Sequence, residues 1–140
     1  MAVAGFLDRD DAFHAAADAR IRQLAGRDLL VVSVITYAEL LTGAGVGHHE
    51  QEAVRGFFEQ IIEEVLGVDR VVAERAAQLR SQHLSLRMPD ALILATADIH
   101  HADLVITGDE RWSAVGISPQ VEVLTAAPTG DQQPPEETSD

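Results

Sequence analysis

Three carboxylates stand out by type and position: Glu39, Asp90 and Asp109. Glu39 falls just past a short β-branched run, LLVVSV at 29–34, one turn into the segment that follows. Asp109 comes directly after a second such run, DLVIT at 103–107, and Asp90 opens an apolar stretch after Met88-Pro89. If the two runs are parallel strands, Glu39 and Asp109 share one edge of a sheet, the edge where open α/β sheets bind their ligands. Carboxylates gathered there repel one another unless they are protonated or bridged by a divalent cation. Hard oxygen donors without cysteine suit Mg²⁺ or Mn²⁺. Such an ion lowers the pKa of a bound water and stabilises charge on a phosphate under attack. Each acid also has a purely structural reading. Thr36-x-x-Glu39 has the form of a capping box. Pro89-Asp90 puts proline and an acid in the first turn of a helix, which suits the helix dipole. Gly108-Asp109 has the form of a turn. The residues alone leave both readings open.

Other candidates are thinner. His48-His49 and His100-His101 are metal-ligand types, but neighbours on a helix point apart, and solvated helix ends are the favoured explanation. Gly43-Ala-Gly-Val-Gly47 follows a helical segment and precedes no Lys-Ser/Thr pair, so it is not a phosphate loop. Trp112 reads as a packing anchor rather than a base-stacking platform. Arg87 and Arg111 flank the acids and could meet phosphates, or remain solvated. No serine or histidine arrangement suggests a nucleophilic triad.

The elements that must position these residues alternate helix and strand. Phe13, Ala17, Ile21 and Leu24 mark a helix over about 10–26, and residues 36 to about 44 form another. Val54, Phe57, Phe58, Ile61, Ile62 and Val65 mark one face of an amphipathic helix over 51–65. A short strand is expected at 65–68, then a helix from an Asp69 cap to about His83. ALILATADI at 91–99 reads as a buried helix, and VEVL at 121–124 as a strand. The pattern predicts an α/β sandwich around a mostly parallel sheet. The 140 residues fit one domain, and 46% hydrophobic content is enough for a core. Residues 126–140 are acidic, proline-rich and without an apolar anchor, so a disordered tail is expected there. There is no cysteine, hence no disulfide or thiolate site, which fits a reducing compartment. No stretch resembles a signal peptide or a membrane span. The net charge of −13, with ten arginines and no lysine, argues against binding nucleic acid by bulk attraction. An RNA substrate would need metal ions and local arginines to invert the field.

Three stretches in order, VITYAELLTG (34–43), MPDALILATA (88–97) and VITGDERW (105–112), resemble the internal motifs of PIN domains. The resemblance covers residues 2–124 and implies a PIN-like domain over 1–125. It further implies a Mg²⁺- or Mn²⁺-dependent endoribonuclease with Glu39, Asp90 and Asp109 as catalytic and metal-holding acids. Small members resemble VapC toxins, which implies a tRNA or rRNA substrate, a VapB-like antitoxin, a homodimer and a cytoplasmic setting. Thr107 stands where the family often has a polar residue near the site. The family's opening motif, a central strand ending in Asp-[Ser/Thr]-[Ser/Asn], has no counterpart. Its Asp would fall before Met1, and Asp8, Asp10 and Asp11 do not match it. The expectation is therefore that the first central strand and first acid are absent, that the true start lies upstream, and that the chain as given is a weak or inactive nuclease. Two other readings stand beside this one. One is a catalytically impaired PIN-like module that binds a protein partner. The other is an unrelated small α/β protein whose acids are only caps.

Overall fold

The computed structural model describes residues 1–5, 19–43, 56 and 59–124. Strands β1 (Ala2–Ala4), β2 (Leu30–Ser33), β3 (Glu64–Leu66), β4 (Leu104–Thr107) and β5 (Gln120–Val123) form one sheet in the order β3-β2-β1-β4-β5. Every neighbouring pair is parallel. The three inner strands are short apolar runs buried on both faces, as a helix-covered parallel sheet requires. The edge strands β3 and β5 carry the more exposed side chains.

Helices cover both faces. Residues 19–25 are helical (α1), followed in order by α2 (Val34–Gly43), α3 (Arg70–Gln82) and α4 (Met88–Ile99). Strand alternation sorts the core into two sides. Val3, in register with Val31 and Val105, packs with Val72, Ala76 and Leu79 of α3 and with Ala91, Leu94 and Ala95 of α4. Ala2, Ala4, Leu30 and Val32 point the other way, onto Ile21 of α1 and Ile62. The result is a three-layer sandwich, as the alternation of elements predicts. Asp69 is the N-cap of α3, its carboxylate accepting from the Val72 N–H at 2.9 Å.

One expectation fails. The first central strand is present, because Ala2–Ala4 fills the middle of the sheet and pairs with β2 on one side and β4 on the other. Ala and Val are small and apolar enough for a slot buried on both faces, and the flanking strands supply the partners for their backbone groups. A second correction concerns the capping box. α2 begins at Val34, two residues earlier than expected, and the Ser33 hydroxyl accepts the Ile35 N–H at 3.0 Å. Thr36 therefore lies inside the helix and is buried, so Glu39 is not its capping partner.

Gly56 and residues 59–61 are helical, but the expected 51–65 helix ends there, because residues 62–63 are irregular and Glu64 and Val65 belong to β3; residues 51–55, 57 and 58 lie outside the described ones. The same holds for Asp8, Asp10, Asp11, His48, His49, most of the glycine-rich stretch and the expected tail over 126–140. Among the described residues no helix is long and apolar enough to cross a membrane.

Candidate functional site

The strand order reverses direction between β1 and β4: the chain steps one way from β1 to β2 and β3, and the other way from β4 to β5. In open parallel sheets the crevice for ligands lies at the carboxyl edge beside such a switch point. Asp109 follows β4 there. Glu39 lies on α2, which leaves β2 without a loop. α4 returns across the sheet before β4 begins, so its first turn, with Asp90, reaches the same edge.

Local chemistry holds each acid. Thr107 is fully buried, and its Oγ1 accepts the Asp109 N–H at 3.0 Å, which fixes the turn after β4. Asp109 then caps a 3-10 helix (Glu110–Ala114) by accepting the Arg111 N–H at 3.0 Å. The Arg111 guanidinium folds back onto the same carboxylate, with Nε 2.9 Å from Oδ1 and a second bond to Oδ2. The Asp109 side chain is thus both a cap and one half of a two-point ion pair. Asp90 is 3% exposed, and the Arg87 Nε stands 3.7 Å from its Oδ2. Glu39 is exposed.

The electrostatics tie the acids into one cluster. Burial raises the Asp90 pKa, the Asp109 charge raises it further, and Arg87 and Arg111 oppose both. Desolvation also raises Glu39, helped by the charge of Asp90 and opposed by Arg87. Asp109 goes the other way, because its hydrogen bonds from Arg111 hold the carboxyl below the ordinary range. Asp90 is thus in the field of Asp109 and of both arginines, and its own charge acts on Glu39. Its ionised form is disfavoured by its surroundings, and cationic charge brought to the cluster would relieve that. The donor set is hard oxygen throughout, suited to Mg²⁺ or Mn²⁺. Among the described residues no three such side chains stand close enough to share one ion in this arrangement. Arg111 occupies Asp109 in it.

Among the described residues, the end of the central strand supplies no fourth acid. Gly5 follows β1, donates its N–H to the Ile106 carbonyl at 2.6 Å and lies against the Trp112 ring. A Cβ at Gly5 would stand 2.5 Å from Trp112 Cζ3. His100 and His101 lie at the far end of α4 from Asp90, both exposed, with His101 in a left-handed turn at φ 56°. The acid cluster does not include them. Trp112 is fully buried, a packing anchor as its sequence context suggests. The sequence reading missed the contribution of His83 and Ser85, which line a cavity beside Asp90. They belong to the loop after α3, which carries no motif and meets the site only through tertiary packing.

Comparison with known proteins fits this geometry. Residues 2–117 match the profile of the PIN domain. Among solved structures, a toxin–antitoxin complex from Klebsiella pneumoniae is 26% identical with a TM-score of 0.65, covering 88% of this chain and 97% of that one. VapBC-5 from Mycobacterium tuberculosis, a member of the VapBC family of toxin–antitoxin systems, is 26% identical with a TM-score of 0.60, covering 87% and 98%. VapBC2 from Rickettsia felis, bound to a DNA fragment from their promoter, is similar in fold at 15% identity and a TM-score of 0.66, covering 88% and 98%. A search of curated proteins gave no match.

Proposed function

Because the chain belongs to the PIN-domain family, whose members are nucleases, we propose that it is a divalent-metal-dependent endoribonuclease of the VapC toxin type. Glu39, Asp90 and Asp109 are the metal-holding acids in this reading. The observation that carries it is the buried Asp90 carboxyl, at the carboxyl edge of a parallel sheet in the field of Asp109 and two arginines. A bound Mg²⁺ or Mn²⁺ would supply an activated water and charge stabilisation at the phosphate. The chain's own residues do the rest. Thr107 holds Asp109 in its turn. Arg87 and Arg111, both exposed beside the acids, offer guanidinium donors to RNA phosphates, locally offsetting the net charge of −13. For Arg111 that role means letting go of Asp109.

Several similar structures are toxin–antitoxin complexes, which supports a VapB-like partner that masks the site. A structured tRNA or rRNA loop is the substrate class, since loops offer unstacked bases and accessible backbone. A homodimer, a cytoplasmic setting and a single domain over 1–125 complete the reading.

Gly5 favours a second reading. It, rather than an acid, follows the central strand, which supports a module that binds a partner without cleaving RNA. One assay separates the two: RNA cleavage with and without Mn²⁺, for the wild type beside Asp90→Asn. Metal-dependent cleavage lost in Asp90→Asn is the expected result. No cleavage by a folded wild type favours the binding module, and equal cleavage by the two removes Asp90 from the site.

A further inference from the structure

Among the described residues, the buried polar or charged side chains are Ser33, Thr36, Asp90, Thr96 and Thr107. All but one have a partner. The Ser33 hydroxyl accepts the Ile35 N–H, Thr96 donates to the Leu92 carbonyl at 2.7 Å, Thr107 Oγ1 accepts the Asp109 N–H, and Asp90 pairs with Arg87. Thr36 is 2% exposed, and its Oγ1 has none. A threonine within a helix ordinarily returns its hydroxyl to the carbonyl four residues back, as Thr96 does. For Thr36 that residue is Val32, which lies in β2 before the helix begins. A donor buried without a partner costs stability, and valine has the same shape without that cost.

The place of Thr36 on α2 says what the hydroxyl serves. Successive helical residues turn by about 100°, so Glu39 lies about 60° round the helix from Thr36 and about 40° from Ile35. Ile35 packs into the core shared with α3 and α4, and Tyr37 into the core on the other face of the sheet. Thr36 falls between them, on the inward face of α2 and next to Glu39. The Asp90 charge acts on Glu39, so this side of α2 is turned toward the start of α4, with which α2 is in contact.

We propose that Thr36 is a positioning residue for the acid cluster, its Oγ1–H being the donor for a Glu39 carboxylate oxygen when Glu39 turns inward to hold the metal. The proposal rests on the metal-dependent reading above and deepens it by naming what orients one of the ligands. Metal-holding carboxylates are themselves hydrogen-bonded by an outer partner. Residues three apart on one helix face are neighbours, so rotation of the two side chains is enough to bring them together. The contact runs from side chain to side chain and does not require Thr36 to cap the helix. The unpaired hydroxyl is then a local cost to the fold, retained at a functional site.

The test is calorimetric titration of the full chain with Mn²⁺, beside urea unfolding in chelator. The proteins are the wild type, Thr36→Val, Thr36→Ser, Glu39→Gln and the double variant Thr36→Val with Glu39→Gln. Thr36→Val should be at least as stable as the wild type in chelator, yet bind Mn²⁺ about tenfold or more weakly, the scale of losing an outer partner of a ligand. Thr36→Ser keeps the hydroxyl and should bind like the wild type. In the Glu39→Gln background, Thr36→Val should weaken Mn²⁺ binding no further, because the two side chains act as one unit. A threonine with a structural role alone gives the reverse pattern, a loss of stability in chelator at unchanged Mn²⁺ affinity. Either half of that pattern overturns the proposal, as does an equal loss of affinity with and without the Glu39 carboxylate. If Thr36→Val does not fold, Thr36→Ala, checked by circular dichroism, carries the same comparison of affinities. Mn²⁺ affinity untouched by the loss of the hydroxyl removes Thr36 and leaves the metal reading standing. No Mn²⁺ binding by the folded wild type removes the metal reading and the proposal with it.

Discussion

Replacing Gly5 by alanine tests the centre of the sheet. The added Cβ would stand 2.5 Å from Trp112 Cζ3, 3.0 Å from Cη2 and 3.2 Å from the Ile106 carbonyl oxygen. Carbon atoms rest at about 3.5–4.0 Å, so the ring and the strand must part by roughly 1 Å. Neither is free to move. Trp112 is fully buried, and Gly5 is tied to Ile106 by a 2.6 Å hydrogen bond. Overpacking of this kind costs about 1–3 kcal/mol. Alanine restricts the unfolded chain and returns about 0.4–1 kcal/mol. No positive φ stands at any described glycine, so the backbone itself takes alanine without strain. The clash wins, and Gly5→Ala should be less stable by about 1–2 kcal/mol. Urea unfolding followed by Trp112 emission and by circular dichroism should show a midpoint lower by roughly 1 M at unchanged slope. A variant as stable as the wild type would refute the reasoning. It would mean that the residue after the central strand does not lie against Trp112, and that Ala2–Ala4 is not the strand between β2 and β4.

Two further outcomes follow from the charges. Asp90 has its pKa raised by burial, so the folded metal-free protein keeps that proton to higher pH than the unfolded chain does. The associated stability is full below the ordinary Asp value of 3.8 and declines as pH rises through the raised one. Asp90→Asn should therefore melt no lower than the wild type at neutral pH in chelator, and the difference between the two should shrink on acidification. It should also lose the gain that saturating Mn²⁺ gives the wild type, about 2.7 kcal/mol at a hundredfold excess over Kd; an equal Mn²⁺ gain in both would contradict the assignment. Arg111→Ala should remove the guanidinium from both Asp109 oxygens, leaving the backbone N–H bond to Oδ1, and calorimetry should then find tighter Mn²⁺ binding. RNA affinity should fall at the same time, with a salt dependence shallower by roughly one phosphate contact. Unchanged Mn²⁺ affinity would show that Arg111 does not compete for Asp109.

Much of this was legible along the chain, because periodicity and caps act locally. The β-branched run before Glu39, the Asp69 cap and the proline at the start of α4 each specify their element within a few residues, and the structure has them there. Ala2–Ala4 was not legible. Three small residues carry no alternation to distinguish them, and only their register with Leu30–Val32 and Leu104–Ile106 makes them a strand. Thr36-x-x-Glu39 had the right letters for a cap, but Ser33 starts the helix first and Thr36 is drawn into the interior. Within the candidate site, the acids were legible from their places at strand and helix ends. The hold of Arg111 on Asp109 and the cavity between the α3 loop and Trp112 were not. They depend on side-chain direction and tertiary packing, which spacing does not encode.

The position of β1 also sets an order of events during synthesis. β1 is the middle strand of the sheet, and its pairing of Ala4 with Ile106 must wait for a partner about a hundred residues later. At about 5–20 residues per second that interval is on the order of 5–20 s. Glu39 emerges early, but Asp90 and Asp109 join it only when β4 closes the sheet. The acid cluster is therefore among the last features to form on a nascent chain. A growing polypeptide brings the three acids to one sheet edge only once β4 has been made, which gives any partner made alongside it time to arrive first.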